Sequence, residues 1–293
     1  MWQTYLHYNH PFPVLKDKAM NRSNEEDIEK AKSLISTGAE IAGAAVGGAI
    51  GFFAAGPAGA AGAGSLGVIV AKAGAKLLGD VAERAMSVRE KVRVGAAAAV
   101  AFNKIEKASQ SGDEPRKDGF FNSEEGKRSN AEEILEGTLR RAREEYEEKK
   151  ILLLGNFYAN MVYSPGVSTE EANYYLRLFD SLTYRQLCIM SLIMMKPHYS
   201  DFQNLRKHDY RTKNANMQAS TVALLQEIYA LYNLGLVCVR SADGNGYVSL
   251  LAWHDVIPFG LEFTGLGERF YKLFMGGGSI SLPDISTIAE TLR

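Results

Sequence analysis

The residues from Lys196 to Gln218, KPHYSDFQNLRKHDYRTKNANMQ, are the ones whose types and spacing best suit chemistry. Lys196, Arg206, Lys207, Arg211 and Lys213 are interleaved with Tyr199, Phe202 and Tyr210 and with His198 and His208. Cations separated by aromatic rings suit single-stranded nucleic acid or a nucleotide. Guanidinium and ammonium groups hold phosphates, while each ring can stack on a base for about 1–3 kcal/mol. Tyr199, Arg206, Lys207, Tyr210, Arg211 and Lys213 are the candidate ligand residues. Asp201 and Asp209 dilute the charge, and the same composition would also serve a solvated polar loop.

Other chemistries find less support. His198, His208 and His254 are not spaced as metal ligands, and His7 and His10 have no carboxylate cluster beside them. Cys188 and Cys238 lie in apolar contexts (QLCIM and LVCVR) and read as buried thiols rather than as a disulfide or metal framework. The literal GxGxxG from Gly62 to Gly67 follows GPAGAA, where a dinucleotide fold would need a β-strand. Gly74-Ala75-Lys76 has no serine or threonine after the lysine, so it completes no phosphate loop. No activated serine or cysteine arrangement is recognisable. The expectation is a protein that is not an enzyme, with no metal and no cofactor.

The elements that must position the basic segment lie on both sides of it. Thr183 caps the helix TYRQLCIMSLIMM, which ends before Pro197, and STVALLQEIYALYN forms a second helix closed by Leu234-Gly235-Leu236. Val237–Arg240 reads as a strand, Asp243–Gly246 as a hairpin turn, and Tyr247–Leu251 as the returning strand. LEFTGLGERFYKLF reads as a closing helix. This order, over about 181–276, resembles a winged helix-turn-helix. The helix that would read DNA offers Gln218, Ser220, Thr221, Gln226, Glu227 and Asn233 and no cation, which disfavours major-groove recognition.

Upstream, Asp80–Gln110 reads as a helix, and the turn-rich stretch Ser111–Ser129 as a linker. Asn130 with Glu133 reads as a capping box opening one helix through Tyr163, and a shorter helix runs from Ser168 to Phe179. The long helix suits an oligomer stalk or, equally, a bundle around the C-terminal part.

Nearest the N-terminus is a ridge of small residues. From Ala39 to Gly79 every fourth residue is alanine or glycine, Gly43, Gly47, Gly51, Gly59 and Gly67 among them, and no charge falls between Glu40 and Lys72. Such ridges let helix backbones approach closely, a main source of association in lipid. An unbroken helix of the roughly 30 uncharged residues between Glu40 and Lys72 would be about 46 Å long, beyond the ~30 Å hydrocarbon core. Pro57 divides it into two short halves, each below the ~20 apolar residues that a span prefers. The segment therefore reads as a conditional membrane hairpin, with a buried Ala/Gly helical hairpin as the alternative. Lys30, Lys32, Lys72 and Lys76 flank it, which fits both ends on the cytoplasmic side.

The totals add limits. The 293 residues suffice for two or three domains, and 33 basic residues against 34 acidic ones set up no global field for nucleic acid or acidic lipid. MWQTYLHYNHPFPV lacks the basic start and apolar run of a cleaved signal peptide. The expected fold is mainly α: an N-terminal segment (1–37), a glycine/alanine-rich membrane-active helical region (38–110), a linker (111–129), a helical connector or stalk (130–180) and a winged-helix-like α+β domain (181–293).

With YRQLC and the glycine-rich run, this architecture resembles the membrane-disrupting effectors of antiphage abortive infection, most closely the transmembrane effectors of the Hailong system. The resemblance implies a homo-oligomer, a tetramer, that binds single-stranded DNA made by a partner nucleotidyltransferase. It further implies that loss of this ligand releases the protein to depolarise the inner membrane. The alternative is a winged-helix DNA-binding regulator free in the cytoplasm, with an Ala/Gly-rich oligomerisation core.

Overall fold

The computed structural model describes residues 87–123, 127–212, 217–241, 246–276 and 279–293. The small-residue ridge with Gly43, Gly47, Gly51, Gly59 and Gly67, the turn residues 242–245, and Lys213 lie outside the described residues. The described part is mainly helical, with one small two-stranded sheet. Among the described residues no helix is long and apolar enough to cross a membrane.

Helix α1 (Val88–Gln110) opens on a capping box in which Ser87 accepts the Glu90 N–H and Glu90 reaches back to Ser87. Its run Gly95–Ala101 carries only short side chains and lies against α3 (Ile151–Val162), the most buried helix of the fold. The two backbones meet at Gly155, where a Cβ would stand 2.6 Å from the Ala97 carbonyl oxygen and 2.7 Å from Val100 Cβ. Helix α2 (Asn130–Glu144) packs on α1 and α3, and α4 (Thr169–Ser181) packs on α2. The capping box of α2 sits one residue before the expected place. Ser129 and Glu132 form it, while Glu133 accepts from Asn173 at 2.8 Å.

The single helix expected from Asn130 to Tyr163 is instead broken at Glu145, where the backbone turns extended before a 3-10 turn at Glu148–Lys150. A buried ion pair holds the break. Lys150 Nζ lies 2.6 Å from Glu145 Oε2, and the two residues are 2 % and 8 % exposed. Glu147 anchors the outer side by accepting the Tyr184 N–H. The chain therefore folds back, and of the two expected arrangements, stalk or bundle, the described residues form the bundle. The stretch read as a linker is also packed: Arg116 donates to the Val167 carbonyl, pairs with Asp118 at 2.6 Å and lies 4.4 Å from the centre of the buried Phe120 ring.

Helix α5 (Tyr184–Met195) starts at a Thr183–Gln186 capping box and stops before Pro197, as its sequence predicts. Helix α6 (Ala219–Asn233) ends at Gly235, whose φ of 70° lets the chain reverse. Strand β1 (Val237–Val239) then pairs antiparallel with β2 (Leu261–Phe263), with Val237 opposite Phe263. This corrects the expected hairpin. Tyr247 makes one bridge to Arg240, and the returning strand goes no further, because the N–H groups of Leu251 and Ala252 turn to the Asp255 carboxylate. The segment LEFTGLGERFYKLF accordingly splits into β2 and α7 (Gly265–Met275), with Thr264 as the cap. Helix α8 (Leu282–Thr291) closes the chain against α5.

Phe157 of α3, Phe179 of α4 and Phe270 and Phe274 of α7 stack on one another, with Phe274 lying 4.4–4.6 Å from each of the other three ring centres. Burying each such ring contributes about 1.5–3 kcal/mol, so this stack binds the N-terminal helices to the C-terminal elements. The buried residues from Val94 to Leu292 form one continuous cluster.

Candidate functional site

Three apolar anchors, Phe202, Leu205 and Tyr210, pin the basic segment to the body, each 5 % exposed or less. Backbone bonds fix it further: Arg206 N–H donates to the Leu292 carbonyl, and Phe259 N–H donates to the Arg206 carbonyl. Tyr210 N–H donates to the His254 carbonyl at 2.8 Å. The segment thus lies over the Pro258–Gly260 turn and the end of α8.

Most of its cations are engaged by the protein itself. Lys196 Nζ donates to the carbonyls of Phe259 and Leu261 at 2.7 and 2.8 Å, and burial holds its pKa below the usual lysine value. Arg206 donates twice to the Asp209 carbonyl and lies 4.8 Å from the Tyr210 ring centre. Arg211 Nε reaches Asp255 Oδ1 at 2.7 Å and Asp209 Oδ2 at 3.6 Å. Lys207 is exposed, its ammonium 5.0 Å from the Phe259 ring centre. Tyr199 is half-buried against Phe202.

The structure therefore brings Arg206, Lys207, Tyr210 and Arg211 together but changes the role of two of them. Tyr210 is an anchor under the Arg206 guanidinium, and its ring is not offered to a base. Arg206 is a clamp on its own turn. The exposed cationic edge consists of Lys207 and the outer part of Arg211, whose side chain is 57 % exposed.

Asp255, which no sequence motif marks, holds the far side of the Arg211 guanidinium. It is 2 % exposed and accepts from Arg211 and from the N–H groups of Leu251 and Ala252. Burial by itself would raise its pKa, but those donors more than compensate and hold the carboxyl below its ordinary 3.8. The fold thus favours the charged form. Its contribution is complete above pH ~4 and is lost as pH falls through the depressed folded value. Asp255→Asn is expected to lower stability by about 1–3 kcal/mol at pH 7, with the deficit shrinking below pH ~4. Urea denaturation of both proteins at several pH values checks this, and a deficit that stays constant down to pH 3 would contradict it.

Elsewhere, Cys188 is buried and its thiol is pushed up to about 12, mainly by burial, which keeps it protonated at neutral pH. Among the described residues no group of three or more His, Cys, Asp and Glu is placed to hold a metal ion. A polar cleft of about 320 Å³ between α2 and α4 includes Arg116, Glu133 and Asn173 in its lining, but Arg116 is already satisfied by Asp118 and backbone carbonyls. Comparison with protein-family models, with curated proteins and with solved structures gives no match.

Proposed function

We propose that this chain is a non-enzymatic effector of antiphage defence, cytoplasmic until it associates with the inner membrane and disrupts it through the segment 38–79. In this reading it works as a homo-oligomer, a tetramer, held in check by single-stranded DNA or a nucleotide on its C-terminal part. A nucleotidyltransferase is the partner that supplies the ligand. The observation that carries the proposal is the ridge of small residues every fourth position from Ala39 to Gly79, with no charge between Glu40 and Lys72.

The order α5, α6, β1, bridge at Tyr247, β2 supports a winged-helix-like reading of the C-terminal part with a much reduced wing. Lys207 and the outer edge of Arg211 would then meet phosphate. A second reading, a winged-helix DNA-binding regulator with an Ala/Gly-rich oligomer core, draws support from Gly155. There the same kind of small residue serves close helix packing inside the body.

Two leucines in the ridge separate these readings. Gly47→Leu combined with Gly51→Leu is expected to abolish dye leakage from liposomes and toxicity in cells. The far-ultraviolet dichroism and melting of the body should stay unchanged. Leakage by the double variant at the wild-type rate would overturn the effector reading.

A further inference from the structure

The rings of the basic segment are used by the fold itself: Phe202 and Tyr210 are buried anchors, and Tyr199 is half-buried. A single strand held at the cations of that segment would still need a ring to take a base. Such a ring stands at the bridge to β1. Tyr247 is 64 % exposed, yet it is held on every side that touches the protein. Its backbone is pinned before and after: Ser241 N–H donates to the Gly246 carbonyl at 2.8 Å, and Val248 N–H donates to the Val239 carbonyl at 2.7 Å. The Arg240 guanidinium lies over the ring, 4.9 Å from its centre, and donates to the hydroxyl at 3.2 Å. Arg240 is fixed in turn by Glu262, which accepts from Nε at 2.8 Å and from Nη2 at 3.1 Å. The same residue ties the ring to the basic segment. Arg240 N–H donates to the Gly260 carbonyl, and the preceding Phe259 carries the Lys207 ammonium 5.0 Å from its ring centre.

We propose that Tyr247 is the stacking ring for an unpaired base of a single-stranded nucleic acid whose phosphates meet Lys207 and Arg211. Ordering a side chain costs entropy, and a ring left in water gains little burial in return. A ring already ordered incurs none of that cost when a ligand stacks on it. The chemistry favours a base over a cationic ligand. Arg240 already sets one positive charge against the ring, so a second cation there would be repelled, whereas a neutral flat base would not. Bases inside a duplex expose only their edges in the grooves, so the strand must be unpaired at this point. The inference rests on the proposed nucleic-acid ligand, and adds to it a contact outside the basic segment and a requirement for an open base.

The test uses the full chain and fluorescence anisotropy with two labelled probes, oligo-dT and an abasic strand of the same length. Tyr247→Ala should weaken oligo-dT binding about 5–150-fold, equivalent to the ~1–3 kcal/mol of one stacked base. It should leave binding of the abasic strand and the melting temperature unchanged. Tyr247→Phe, which keeps the ring, should bind oligo-dT like the wild type. A Tyr247→Ala protein that binds oligo-dT as tightly as the wild type would overturn the inference. Equal losses on both probes, or a Tyr247→Phe protein as weak as Tyr247→Ala, would overturn it too. In each of those cases a salt-dependent loss in Lys207→Glu would leave the nucleic-acid reading standing. A wild-type protein that binds neither probe would overturn that reading and this inference together.

Discussion

Gly267→Ala is expected to destabilise the protein by about 3 kcal/mol, at the upper end of overpacking costs. The first turn of α7 runs against the end of α6, and a Cβ at position 267 would collide with the Leu236 carbonyl oxygen and crowd its carbon at 2.8 Å. That carbonyl is already fixed, since it accepts the Thr264 N–H at 3.2 Å and the Thr264 hydroxyl at 3.3 Å. Backbone lies on both sides of the clash, so no flexible side chain can give way. Gly265 lies two residues earlier in the same turn and has nothing within 4 Å of its Cβ position. Gly265→Ala should therefore be neutral or gain up to about 1 kcal/mol from helix propensity. Guanidinium denaturation of the two variants compares them directly, and equal midpoints would refute the close approach.

The second large effect concerns the ion pair at the break between α2 and α3. Lys150→Met should cost about 3–5 kcal/mol, because it leaves the Glu145 carboxylate buried without its cation. Lys150 also lies 4.9 Å from the Phe179 ring centre, and Arg93 donates to the Glu145 carbonyl, so the surroundings have little room to re-solvate the carboxylate. Adding Glu145→Gln should recover a large part of the loss, since a neutral amide is less costly to bury than a lone charge. A double-mutant cycle measures this coupling, and strictly additive losses would show that the pair does not hold the break.

Local signals in the sequence were legible and distant partners were not. Thr183 with Gln186 and the following Pro197 mark both ends of α5 through contacts within one or two turns, and Gly235 ends α6 in the same way. The capping box of α2 was misplaced by one residue because Ser129–Glu132 and Asn130–Glu133 satisfy the same spacing. Only tertiary packing, with Glu133 drawn to Asn173 on α4, decides between them. The break at Glu145 has no proline or glycine to announce it. It arises from two charged residues five positions apart whose burial the chain order does not reveal.

The main strand partner of β1 is hidden in the sequence for a similar reason. Tyr247–Leu251 is nearer in sequence and has a turn before it, but it pairs with this strand only around Tyr247 and Val248, and by Leu251 and Ala252 the N–H groups go to Asp255. In the candidate site the residue types were visible and their use was not. Lys196 and Arg206 end on backbone carbonyls, which no residue letter advertises, and Arg211 ends on a carboxylate 44 residues away. A run of cations reads as free charge until its acceptors are placed.

Lys196 has one more consequence. The bonds from Arg240 N–H to the Gly260 carbonyl and from Thr264 N–H to the Leu236 carbonyl set the phase of the β1–β2 ladder. In that phase the Leu261 carbonyl points away from β1, toward the side where another strand would dock, and there it meets the Lys196 ammonium. On the opposite side, the outward carbonyl of Val239 is taken by the Val248 N–H. Both edges of this small sheet are thereby blunted against strand addition, the route that leads to runaway polymers and amyloid-like growth. Among the described residues, the one small sheet is thereby closed to strand exchange between copies, even where copies meet at high local concentration.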